Sequence, residues 1–556
     1  MYLRKYNTLI YAAESGEFKM SSKNSMPQDE KSPPSGSIRS GSSKYSQETS
    51  QGLASAPGYA QPAQIFPSFR IPTRFLVYFS IALALIAALA INFTANISSL
   101  LVIAGALGLI LTIIIFQKPE LGAYILIFTV FTNLSDLFTE KGLPSINKPL
   151  VAIVLFSIFA NYVLRTGKLN SSRGSSRAWG ALLIYFLTIL FSSFVAANQP
   201  KSFLAIVDLT KDIAVGICIY LTLDTKEKLK TGVRVLLYAV TFVSILGVIH
   251  TLSGSSLTFW GLARGSAFGQ IGGSGGLRYG GPIAESNVWG QILVSILPIA
   301  LYQFAKIREP RLKILSAMAA LFIFLAMLFT ESRGAFLALV VVMALTAFDL
   351  RIKTTTLISL ASLGLVLLII VPSKYTERIR TLDMLFQSSA DGVSQDDAVE
   401  GRREKMLTGL AMFREHPFLG VGFANYSDNY WSYAGDLGLE AAARNVGSAS
   451  SARQPHSLYV EIMAETGFFG IISFLVFIYI MLRDLYRSRA INDAKKVKAD
   501  PEWSLWITSI FMSILTFLVA GIFLHGIGFR FIWVLSGLGL AIIHLTQDRS
   551  SSMQLN

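Results

Sequence analysis

His456 opens an apolar run in "RQPHSLYVEIMAETGFFG", residues 453–470, with Glu461 and Glu465 inside the run. An imidazole titrates near neutrality, so a histidine at a membrane edge is suited to take a proton from a hydroxyl. Cations stand at the edges of two other apolar runs. "GGLRYGGPIAESNVWG" sets a glycine-flanked Arg278 ahead of Asn287, and "LFTESRGAFLAL" places Arg333 in a turn of only a few residues. A guanidinium offers paired donors that fit phosphate oxygens, and flanking glycines let backbone N–H groups approach an anion. The bland alternatives are headgroup contact for Arg278 and an ion pair of Arg333 with Glu331. An arginine held at the edge of a membrane is otherwise a site by default.

Further chemistry sits in "GRREKMLTGLAMFREHPFLGVGFANY", which reads as an amphipathic helix over 402–415 ending at His416-Pro417 and a Gly-x-Gly turn. Arg402 and Arg403 lie at its start. Pro455 suits the first turn of a helix, which puts His456 at the lip of the next span. Glu461 then lies about 7.5 Å deeper and Glu465 about 13 Å deeper, at roughly 1.5 Å per residue. Carboxylates at that depth must face protein or water.

What positions these residues is a set of membrane helices. Of 556 residues 52% are hydrophobic and 15% charged, well short of the roughly one quarter charged in soluble chains. Apolar runs recur at 74–92, 98–116, 120–137, 149–165, 178–196, 203–223, 233–252, 285–305, 312–330, 334–349, 354–371, 457–482, 504–525 and 527–545. Most match the roughly 17–25 residues that cross a bilayer. The expected fold is an all-α polytopic membrane protein with about 14 transmembrane helices, 12 to 14 being compatible with the pattern. A large, partly helical external loop precedes a C-terminal group of three helices. The expected regions are a disordered cytoplasmic tail at 1–70, a transmembrane region at 74–252, a catalytic region at 253–545 and a cytoplasmic tail at 546–556. The tail is rich in Ser, Pro, Gly and Gln and lacks the apolar core of a secretory signal.

The net charge of +14 reflects Lys and Arg gathered in alternate short loops, so nucleic acid is not needed to explain it. The positive-inside rule puts those loops and both termini in the cytoplasm, and the long loops 253–284 and 372–456 outside. The single cysteine, Cys218, excludes disulfides and cysteine metal sites. No histidine pair has metal-ligand spacing, and Asp391, Asp396 and Asp397 lack a calcium-loop pattern, so no metal or cofactor is expected. His250, His525 and His544 read as structural, and His416 as a helix-terminal residue. Asp208, Lys211 and Asp212 share one helix face, where they neutralise one another or line an ion path.

Four segments together resemble the O-antigen ligase and polymerase superfamily. "PHSLYVEIMAETGFFG" is similar to its His…Glu-x-Gly-x-x-Gly signature, and "ESRGA" to its Ser-Arg-Gly hairpin. "LRYGGPIAESNVWG" is similar to its Arg…Gly…Asn segment, and "RREKMLTGLAMFREHPFLGVGFANY" to its Arg…Pro-x-x-Gly-x-Gly stretch. Ser457 stands where many members have Asn, and Glu285-Ser286 replace the usual Asn-Pro. The resemblance implies a metal-independent inverting glycosyltransferase at the outer face of the inner membrane. It implies an undecaprenyl-pyrophosphate-linked glycan as donor and a lipid A–core sugar or another carrier-linked glycan as acceptor. By that resemblance Arg278 and Arg333 bind pyrophosphate, His456 is catalytic, and Arg402 or Arg403 is the loop arginine. Asn287, Glu461 and Glu465 are further candidates, with Glu465 favoured for a structural role. A repeat-unit polymerase is the alternative within the family, and a small-solute or bicarbonate-type transporter the alternative outside it.

Overall fold

The structure is a computed structural model and describes residues 99–161, 163, 173–266, 278–351, 397–439, 454–493, 500–524 and 530–554. The expected tail, the runs at 74–92 and 354–371, Asp391, Asp396 and His525 lie outside these residues. So does the glycine-rich stretch 267–277.

Among the described residues the chain is helical and no strand forms; one antiparallel bridge joins Gly265 to Tyr279. The first group of helices is α1 (Ser99–Gln117), α2 (Pro119–Phe131), α3 (Leu134–Glu140), α4 (Asn147–Asn161), α5 (Arg173–Phe194), α6 (Gln199–Thr222) and α7 (Lys226–Leu252). Then follow α8 (Ser286–Lys306), α9 (Pro310–Phe329) and α10 (Arg333–Leu350). The last group is α11 (Asp397–Glu415), α12 (Tyr426–Asp436), α13 (Leu458–Asp493), α14 (Pro501–Ala520) and α15 (Phe531–Gln554).

Seven described helices are long and apolar enough to cross a membrane: α5, α7, α8, α9, α10, α13 and α14. An eighth results if α2 and α3, bent by 63° at their junction, form one broken span. Among the described residues this makes seven or eight candidate spans, and the expected runs at 74–92 and 354–371 lie outside them. Helix α4 has only 15 residues, and α6, covering the expected span 203–223, carries Asp208, Lys211 and Asp212.

The break between α2 and α3 has a local cause. Asn133 adopts a left-handed φ of 52°, and its amide reaches across to donate to the Pro282 carbonyl at 3.3 Å. Asparagine tolerates that conformation better than most residues. The tie fixes α3 against the loop that carries Arg278.

Helix α8 is enclosed by α9, α10 and α14, with Trp289 fully buried at its first turn. Its start is set by Glu285, whose carboxylate accepts from the backbone N–H groups of Asn287 at 3.3 Å and Val288 at 2.6 Å. A carboxylate at this position satisfies otherwise unpaired donors and complements the helix dipole. Elsewhere Gly216 and Gly537 let α6 and α15 approach closely, since a methyl on Gly537 would meet Gly216 O at 2.5 Å. Outward-facing Leu183, Ile184, Phe191, Leu204 and Val207 leave apolar flanks suited to lipid.

Candidate active site

Arg278 is fixed from both of its sides. Its carbonyl accepts from Ser266 N–H at 2.7 Å, and the next residue, Tyr279, donates from N–H to Phe329 O at 3.0 Å. Its guanidinium spans to the turn between α9 and α10, donating from Nε and Nη2 to the Thr330 carbonyl at 3.0 and 2.8 Å. Nη2 also reaches the Glu331 carbonyl at 3.2 Å and Asn287 Oδ1 at 3.2 Å. The Asn287 amide is oriented in turn, because its Nδ2 donates to Glu285 Oε1 at 3.2 Å. Glu285 thus caps α8 and aims Asn287 at Arg278.

That turn is built for tightness. Glu331 has a φ of 49°, and Ser332 caps α10 by accepting from Ala335 N–H at 3.4 Å. Gly290 of α8 lies against it, with room for no side chain: a methyl there would meet Thr330 Oγ1 at 2.8 Å. Arg333 is consequently the first residue of α10, half-buried, one residue beyond the cap.

His456 is not in a helix. Contrary to the expectation from Pro455, α13 starts at Leu458, and His456 precedes it with a left-handed φ of 50°. The chain is turned there by the Gly521–Leu524 segment after α14. Leu458 N–H donates to both Gly521 O at 2.8 Å and Leu524 O at 2.9 Å. The same segment seats the start of α10, since a methyl on Gly334 would meet Phe523 Cβ at 2.9 Å. One turn therefore docks the helix that begins at Arg333 and the helix that follows His456. Through Thr330 and Glu331 it also connects to Arg278.

Helix α11 closes another side of His456. Lys405 Nζ lies 3.4 Å from His456 Nε2. Tyr426 Oη donates to the Lys405 carbonyl at 2.6 Å, and Tyr430 Oη to Glu404 Oε1 at 2.6 Å. Burial, then the neighbouring Tyr430 and Glu404, push the Tyr426 phenol well above its ordinary range, so it remains a donor. Arg402 lies one turn before Lys405 on the same face and is half-buried, whereas Arg403 is exposed. Lys405 is not among the residues that the sequence marks for chemistry. The sequence shows only that it follows Arg402 by three residues on an amphipathic helix.

Glu465 has a different task. The apparent continuous helix 458–493 is broken at Gly467, with φ 66° and ψ −161°. The break frees backbone groups that the loop after α11 uses. Val421 and Gly422 N–H donate to Ala464 O at 2.9 Å and Glu465 O at 3.2 Å, and Phe468 N–H donates to Pro417 O at 2.6 Å. The Glu465 carboxylate then accepts from Ala424 N–H at 2.9 Å and Tyr426 N–H at 3.2 Å. It is 4% exposed and faces the loop and the first turn of α12, a structural duty. The depth of 13 Å along one unbroken span does not hold, because the segment carrying both glutamates ends at the break. Glu461 is also buried, at 8%.

The remaining sequence candidates sit apart. Lys211 pairs with Asp208 at 2.9 Å and approaches Asp212 at 3.7 Å, one cation shared by two carboxylates. His250 Nδ1 contacts the Leu257 carbonyl at 2.7 Å, a structural place. His416 is exposed at the end of α11, and His544 is buried in α15. Among the described residues no three His, Cys, Asp or Glu side chains gather to hold a metal.

Residues 318–475 match the family model described as O-antigen ligase. This domain belongs to the O-antigen ligase and polymerase superfamily. The matched stretch of the O-antigen ligase domain contains the Arg333 turn, α11, the 417–426 loop and His456; Arg278 lies before it. Domains of this family are glycosyltransferase-like enzymes, and the apolar helices make this one multi-pass in a membrane. No curated protein matches the chain.

Proposed function

We propose that the protein is a glycosyltransferase of the inner membrane that moves a glycan from an undecaprenyl-pyrophosphate carrier to a sugar acceptor at the outer face. Both termini are cytoplasmic in this reading, and the site opens to the periplasm. The observation that carries it is the shared docking of the His456 and Arg333 helix starts on the Gly521–Leu524 turn, with Arg278 tied to the Arg333 turn. In this reading a base and two guanidiniums form one wall, which suits a sugar pyrophosphate.

His456 accepts the proton of the acceptor hydroxyl as its oxygen bonds to the anomeric carbon. The anomeric C–O bond breaks on the opposite side, which inverts configuration, and its electron pair stays with the carrier pyrophosphate. Arg278 and Arg333 stabilise that developing charge, the role a metal fills in many soluble enzymes, so the reaction is metal-independent. Fixed donors act strongly here because they need no reorganisation. Arg402 extends the cationic wall. The polyprenyl chain lies among the apolar helices.

The deciding experiment incubates purified protein in nanodiscs with carrier-linked glycan and lipid A–core. Attachment to lipid A–core that is lost in Arg333→Ala and His456→Ala supports the ligase reading. A ladder of longer carrier-linked chains assigns the polymerase reaction instead. Absence of both products in the wild type overturns the proposal.

A further inference from the structure

We propose that Lys405 is a latch on His456, released when the pyrophosphate of the donor arrives. It deepens the transferase reading above and rests on it. The geometry is a lysine ammonium 3.4 Å from the ring nitrogen that would serve as the base. An ammonium has three donors and no acceptor, so in this pair Nε2 of His456 accepts and the ring proton lies on Nδ1. The lone pair that must receive the acceptor's proton is therefore occupied in this structure.

The placement is built rather than incidental. Tyr426 and Tyr430, each 1% exposed, hold the carbonyl of Lys405 and the carboxylate of Glu404, fixing the rotation of α11 at this turn. One turn further on, Gly409 brings α11 against α13, where a methyl would meet Val460 Cγ1 at 2.6 Å. The helix carrying Lys405 is thus locked to the helix that His456 precedes. Arg402 lies about 4.5 Å along the same face of α11, so an anion attracted there meets both cations.

The release follows from relative strengths. A hydrogen bond from an ammonium to a neutral imidazole is single and carries one charge. An ammonium on a pyrophosphate oxygen forms a charge-assisted bond to a polyanion, which is stronger. Lysine's flexible four-carbon stem allows the swing without moving α11. When Nζ transfers to a phosphate oxygen, His456 Nε2 is exposed to the acceptor hydroxyl. The hydroxyl proton passes to Nε2, the oxygen's electron pair forms the new glycosidic bond, and the anomeric C–O pair leaves with the pyrophosphate, whose charge Lys405 now shares. The base is consequently available only with donor in place, which imposes a donor-first order.

The test is ring-nitrogen NMR of the full chain in nanodiscs, labelled with ¹⁵N-histidine, with inorganic pyrophosphate as the probe at fixed pH. The chain has five histidines, and His456→Gln assigns the signal by its loss. In the wild type, saturating pyrophosphate is expected to move the Nε2 resonance of His456 toward its position in Lys405→Met. The Lys405→Met resonance is expected to stand there already and to lose the response, while Lys405→Arg retains it. Pyrophosphate that binds the wild type without moving this resonance overturns the latch, as does an unchanged response in Lys405→Met. Either result leaves the transferase reading intact. Failure of pyrophosphate to bind the wild type, or binding indifferent to Arg333→Ala, overturns the pyrophosphate site itself and the latch with it.

Discussion

Glu465 receives the backbone N–H of Ala424 at 2.9 Å across a helix break, joining two motifs that are 41 residues apart in sequence. The glutamate belongs to the His…Glu-x-Gly segment and Ala424 to the Pro-x-x-Gly-x-Gly segment. Each motif supplies what the other lacks: the broken helix offers carbonyls and N–H groups, and the loop offers their partners. The joined unit holds α11 and α12 beside His456.

Replacing Glu465 by Gln turns one acceptor oxygen into a donor facing Ala424 or Tyr426 N–H. A buried donor left unsatisfied costs about 1–3 kcal/mol. The expected outcome is a lowered unfolding temperature in detergent and faster proteolysis within 417–426, measured against wild type. Unchanged proteolysis would show that the carboxylate does not hold the loop.

Gly467→Ala tests the break itself. The φ and ψ of Gly467 lie in a region essentially confined to glycine, where another residue pays about 1–3 kcal/mol. A methyl would in addition meet the Phe418 carbonyl carbon at 2.3 Å. We expect Gly467→Ala to lower thermal stability more than Gly401→Ala, which meets nothing within 4 Å.

His456→Ala is expected to lower the transfer rate about 10²–10⁴-fold, the usual contribution of a positioned base. Its unfolding temperature should remain near that of wild type, because Leu458 N–H, not the imidazole, makes the bonds to Gly521 and Leu524. Retained transfer in this variant would remove His456 from the mechanism.

The Asp428–Lys201 pair gives a pH signature. Burial works against the Asp428 carboxylate, yet Lys201, Asn198 and Ser427 together hold its pKa below the ordinary value. A depressed folded pKa contributes stability that is present above the unfolded value near 3.9 and lost as pH falls through the folded one. A half-exposed pair of this kind contributes about 0.2–1 kcal/mol. Asp428→Asn is therefore expected to unfold slightly earlier than wild type at about pH 7, with the difference shrinking as pH falls below the unfolded value near about 3.9. A difference constant over that range would assign the effect to something other than the charge.

Much of this protein was legible in its sequence because apolar length and charge placement are local properties. Runs such as 285–305 and 312–330 become helices within a residue or two of the expected bounds, since a lipid environment demands internally bonded backbone. Arg278, Arg333 and His456 stood out because charge at the edge of an apolar run is costly and needs a reason. The tertiary structure decided what those residues meet. Nothing local in "SLYVEIMAETGFFG" announces that its helix breaks at Gly467, because the loop that fills the break comes from 417–426. Nothing local to Lys405 tells that it faces His456, because that depends on the rotation of α11 fixed by Tyr426 and Tyr430. Hydrogen bonds across long sequence separations are set by packing, and only the folded chain shows them.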